Sequence, residues 1–147
     1  LSEARLSRIV TDTERISLFV AGILGIEPWS QCRAIGLEKD GKLVAGVVYD
    51  YYTGANICLH IAAVPGRRWL TKEFLWFMFF YPFEQLGVKR ITGIIPESNV
   101  DSRKFAQGLH GATLEARLKD AHPDGDMLIF RMFKEDCMYL RIKNGKG

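Results

Sequence analysis

Three cysteines, three histidines and five prolines are all that the 147-residue chain carries of the residues that mark special architectures. Cys32, Cys58 and Cys137 form no CxxC pair and are odd in number, which argues against a disulfide framework or a zinc module. They read as reduced, mostly buried thiols, so a cytoplasmic protein is expected. His60, His110 and His122 lie too far apart in sequence for a recognisable metal-ligand spacing, and no metal is expected. Neither charge sign dominates: 20 Lys and Arg against 17 Asp and Glu give a net charge of +3. That excess suits an anionic ligand but does not by itself make a nucleic-acid-binding surface. The apolar run Phe74–Phe83 is about half of the roughly 20 residues a membrane span requires, and Lys72, Glu73 and Glu84 flank it. It reads as a helix buried on nearly all sides, and no membrane association is expected. With no internal repeat, low-complexity tract or long linker, residues 1–147 are expected to form a single domain.

What is present is an ordinary core: 48% of the residues are hydrophobic, enough for one packed domain. Leu6 to Val10 reads as a first strand, and Thr11-Asp-Thr-Glu14 as a capping box opening a helix to about Leu24. Pro28 and Trp29 fall in an irregular connection or a short second helix. Ala34–Glu38 and Leu43–Tyr52 flank Asp40-Gly41, a strong hairpin signal. Strict alternation there would put Tyr49 and Tyr51 on one face and Tyr52 on the other. Ile57–Val64 is the next strand, and a basic loop, Pro65-Gly-Arg-Arg-Trp-Leu-Thr71, leads into the apolar helix. Pro82 should bend or end that helix, with Gly87 as its terminator. Arg90–Ile95 is a strand, Asn99 to about Leu109 a helix, and Thr113–Leu118 with Met127–Phe133 a closing hairpin around Asp124-Gly125. Strand, helix, strand, helix between hairpins implies a mixed sheet with a central parallel pair.

Two constellations converge on one edge of that sheet. The loop holding Arg67 and Arg68 enters a helix whose first amides are unsatisfied, an arrangement suited to a phosphate. Thr71 can cap that helix or donate its hydroxyl. After the next strand, Asn99 can cap the following helix through its side-chain oxygen. A right-handed crossover makes the two strands parallel, so both loops face one crevice, where open α/β sheets place ligands. His60 lies on the first of these strands, and imidazole is the side chain that most readily moves protons near neutral pH. Glu97 falls at the crevice edge. His110 and His122 read as turn residues.

This order of elements, with Asn99-x-x-Ser102-x-x-Phe105 and the following Leu109-His-Gly111, resembles the GNAT N-acetyltransferase superfamily over nearly the whole chain. Gly66-Arg-Arg-Trp-Leu-Thr71, Tyr81-Pro-Phe83, Gln85-Leu-Gly87, Asp124-Gly-Asp126 and Glu135-Asp-Cys137 are further similar to small GNAT-like proteins encoded by phages and prophages. That origin would mean a host cytoplasm. The resemblance implies an α/β mixed sheet of six to seven strands with a splayed parallel central pair, flanked by about four helices. It implies acetyl-coenzyme A as donor and direct transfer to an amine in a ternary complex. The pantetheine arm would pair with strand backbone around Ile61 to Ala63, and the pyrophosphate would sit on Arg67, Arg68, Trp69, Leu70, Thr71 and Lys72. Asn99 and Ser102 would line the other side, and Trp29 lies where the family shapes its acceptor pocket. His60 is then the candidate catalytic base.

Two departures qualify the match. The family's Gly-rich phosphate loop is here Arg67-Arg-Trp-Leu-Thr-Lys72, with Gly66 the only nearby glycine, and the family's frequent tyrosine seven residues after the Asn is Ala106. They keep two alternatives in view: a catalytically degenerate protein of this fold that binds coenzyme A or a protein partner, and a DNA base-modifying enzyme. The basic segment Arg141 to Lys146 supports the latter only weakly. Expected partners are a small-molecule or protein amine and, through the aromatic helix, a second copy of the chain.

Overall fold

The computed structural model describes residues 7–142. Seven strands form one sheet in the order β1-β2-β3-β4-β5-β7-β6. They are β1 (Ser7–Val10), β2 (Arg33–Lys39), β3 (Lys42–Asp50), β4 (Asn56–Ala63), β5 (Arg90–Pro96), β6 (Thr113–His122) and β7 (Gly125–Phe133). The α-helices are α1 (Thr13–Leu24), α2 (Lys72–Phe80) and α3 (Val100–Gly108). All neighbouring strands run antiparallel except β4 and β5, which are joined through α2. The described residues therefore hold three α-helices where about four were expected, because residues 25–32 stay irregular rather than forming a second one.

Helix α1 covers one face of the sheet. Ile16 and Val20, four residues apart, point the same way and are fully buried with Ala34, Val48 and Ala62. The helix sits so close that a Cβ on Gly46 would come within 2.7 Å of a Val20 methyl, so only glycine fits at that crossing. The expected capping box is absent. Asp12 is the N-cap and makes no side-chain cap bond; its carboxylate instead lies 3.5 Å from Arg15.

The opposite face carries the larger core, in which Phe74, Met78, Phe79 and Phe83 pack against Ile35, Leu37, Val47, Tyr49 and Ile91. The α-helix ends at Phe80, just before Pro82, but the chain stays helical: Tyr81–Gln85 forms a π-helical turn, with the Leu86 amide bonding back to the Tyr81 carbonyl at 3.0 Å. Proline has no N–H for the carbonyl four residues earlier, that of Met78. The Tyr49 hydroxyl donates to that carbonyl at 2.7 Å. Gly87 terminates the segment at φ 69°.

The β2–β3 turn forms as read, with Asp40 and Gly41 both at positive φ. Strand β3, however, stops at Asp50, and Tyr51 turns into the left-handed region at φ 54°. The expected alternation therefore fails: Tyr49 is buried, whereas Tyr51 and Tyr52 are both exposed in the β3–β4 turn.

Candidate active site

Strands β4 and β5 pair over only three rungs, Asn56↔Arg90, Ile57↔Ile91 and Cys58↔Thr92. Beyond Cys58, β4 stays with β3 through Ala63, while β5 follows β7 as far as Pro96 opposite Met127. Each strand keeps its outer partner and the two part, so the facing edges of residues 59–63 and 93–96 lack a strand partner. Such edges are open to hydrogen bonding by an extended ligand. Ile61 and Ala63 lie on this free stretch, half-buried.

His60 is the first residue past the last rung whose side chain points to the α1 face, beside Val48 and in line with Ala62. Its Nε2 lies 2.7 Å from Asp50 Oδ1, and its ring packs against Trp29 with centroids 4.9 Å apart. Trp29 thus reaches the sheet from the irregular connection after α1, where an acceptor pocket was expected. Asp50 is the functional candidate that sequence reading missed. Only the register shows it: Asp50 pairs with Cys58 and Val48 with His60, which makes Asp50 and His60 diagonal neighbours on one face.

At the mouth of the crevice, Arg67 and Arg68 are exposed. Thr71 caps α2, its Oγ1 accepting the Phe74 amide at 3.1 Å, while its own amide bonds to the Trp69 carbonyl. The amides of Lys72 and Glu73 begin the helix with no acceptor among the described residues. Leu70 is exposed. Trp69 turns inward, its ring 6.2 Å from Phe74 and 5.4 Å from Phe105, so it bridges α2 and α3. On the far side Asn99 caps α3, its Oδ1 accepting the Ser102 amide at 3.2 Å, and Ser102 is half-buried.

Other expectations fall outside this cluster. Ala106 is buried against Leu128 and Phe130, and its methyl group has no proton to donate. Glu97 pairs with Arg117 at 2.6 Å, toward β6. Tyr49 faces α2 and is committed to Met78, and burial holds its phenol well above the usual range. Burial also raises the Cys58 thiol, an effect that the nearby Asp50 charge reinforces. Open hollows lie elsewhere, one between α3 and β6 near Arg103 and Arg117, another beside Glu135 and Met138. Neither is lined by His60 or the Arg67–Lys72 loop.

No family model and no curated protein sequence matches the chain. Solved structures do. A Vibrio cholerae spermidine N-acetyltransferase SpeG variant superposes with a TM-score of 0.69 at 12% identity, covering 95% of this chain and 99% of that one. The same enzyme in complex with CoA and spermine gives 0.69 at 12% identity over 92% of this chain and 99% of that one. Campylobacter jejuni N-acetyltransferase PseH gives 0.58 at 14% identity over 88% of this chain and 99% of that one. The chain has the GNAT fold. In GNAT terms the parted β4 and β5 are the splayed central pair. No helix among the described residues is long and apolar enough to cross a membrane.

Proposed function

We propose that the chain is an acetyl-coenzyme A-dependent N-acetyltransferase that transfers its acyl group directly to an amine. The observation that carries this reading is the β4–β5 separation, with an imidazole at its apex and a helix N-terminus flanked by two arginines at its mouth. The residues suit the donor. Unpaired strand edges accept an amide-bearing arm, and the Lys72 and Glu73 amides with Arg67 and Arg68 offer donors and charge to a pyrophosphate. When bound, acetyl-coenzyme A supplies the acetyl group as an activated thioester. His60 takes the proton from the acceptor nitrogen as it attacks, and Trp29 walls the acceptor side. Asn99 and Ser102 line the wall opposite the phosphate loop. A small amine is the acceptor class to test first, since a neighbour of this fold was solved with spermine.

Calorimetry with acetyl-coenzyme A, followed by thiol release with a panel of small amines, tests the proposal. Saturable binding and amine-dependent release of coenzyme A are expected. Absence of binding at millimolar donor would overturn it; binding without turnover of any amine or protein would leave only a coenzyme A-binding protein.

A further inference from the structure

Asp50 and His60 form a polar pair in an otherwise apolar stretch of sheet. Their side chains are 25% and 17% exposed, with Val48 and Ala62 buried alongside and Trp29 against the imidazole. A strand-end aspartate needs no histidine to be satisfied, because water or the adjacent turn can solvate it. Here its Oδ1 lies 2.7 Å from Nε2, while Nδ1 has no hydrogen-bond partner among the described residues. A neutral imidazole carries one proton, and a carboxylate can only accept, so Nε2 carries the hydrogen and Nδ1 the lone pair. The ring is held on two sides: Asp50 fixes its in-plane direction and Trp29 limits its tilt.

We infer that Asp50 is a positioning residue for the acetyl transfer: it selects the Nε2–H tautomer of His60 and so makes Nδ1 the atom that receives the acceptor's proton. This rests on the acetyltransferase reading above. In the step, the acceptor nitrogen bonds to the acyl carbon as the carbon–sulfur bond breaks. The sulfur leaves as thiolate, and the amine proton moves to Nδ1, from which it returns to the thiolate or to water. The imidazolium formed meanwhile has both N–H groups, one directed at Asp50, whose charge offsets it. Ionisable groups near this pair include Cys58, directly opposite Asp50, and Arg90, which lies close enough to act on Cys58. Neither has a hydrogen bond to His60 among the described residues.

Nitrogen-15 NMR of histidine-labelled protein reads the tautomer without requiring turnover. The neutral His60 ring is expected as Nε2–H in the native protein and as a tautomer mixture in Asp50→Ala. The same variant should lower kcat roughly 10- to 100-fold, with KM for acetyl-coenzyme A unchanged, and Asp50→Glu should recover part of the loss. The isosteric Asp50→Asn keeps the packing should the alanine variant fold poorly, and it too should lose kcat. A merely structural pairing would move the melting temperature but not kcat. A native Nδ1–H tautomer, or full kcat in both Asp50→Ala and Asp50→Asn, would overturn the inference. Failure of acetyl-coenzyme A to bind would instead overturn the acetyltransferase reading, and the tautomer result would stand apart from it.

Discussion

Tyr49 of β3 donates its buried hydroxyl to the Met78 carbonyl at 2.7 Å, the carbonyl to which Pro82 can offer no amide hydrogen. The sheet thus satisfies the group that the proline orphans, which lets the aromatic helix run on through its π-turn without an unpaired buried acceptor. Tyr49→Phe removes the donor and little volume. It should cost roughly 1–3 kcal/mol, measured by urea unfolding; an unchanged midpoint would show that the carbonyl finds another partner.

Catalysis is expected to depend on His60. The His60→Gln variant should lose roughly 10²- to 10⁴-fold in kcat while binding acetyl-coenzyme A as the native protein does, since the ring lies on the α1 face of the sheet beside Trp29. Turnover at the native rate would remove the base from this residue.

Donor affinity is expected to depend on charge at the crevice mouth. Replacing both Arg67 and Arg68 by alanine should weaken acetyl-coenzyme A binding by about tenfold or more, the equivalent of at least one charge-assisted contact. Both residues are exposed, so the fold should be unaffected and the melting temperature unchanged. S-acetylpantetheine, the donor arm without the pyrophosphate, should show no difference between the variant and the native protein in calorimetry.

Glu38 predicts a pH dependence of stability. Its carboxylate is nearly buried and held by Arg15 of α1 and by Arg8 of β1, whose Nε donates at 2.9 Å. These hydrogen bonds, that from Arg15 foremost, hold it below the usual carboxylate value against the opposing effect of burial. A group titrating lower when folded stabilises fully above its unfolded value of about 4.3, and loses that contribution as pH falls through its folded value. Unfolding free energies of native protein and Glu38→Gln should therefore draw together as pH falls below about 4.3. A gap independent of pH would assign the difference to packing.

Much of the fold was legible because its signals are local. The Asp40-Gly41 turn, the Thr71 and Asn99 caps, the Gly87 terminator and the strand–helix–strand around the aromatic run each depend on a few adjacent residues. The errors were local signals that lost to other contacts, near in one case and distant in another. Asp12 rather than Thr11 begins α1 and engages Arg15. Pro82 is absorbed because a tyrosine thirty-odd residues earlier supplies the missing donor.

The site divides in the same way. Residue order alone determined that an arginine loop and an Asn-capped helix end at one sheet edge, since chain direction and crossover handedness follow from sequence. Only tertiary structure decided how far β4 and β5 pair before parting, that Trp29 folds onto His60, and that Trp69 meets Phe105. Those outcomes depend on strand register and on side chains brought together from distant segments, where the free energy of packing, not the propensity of any one stretch, makes the choice.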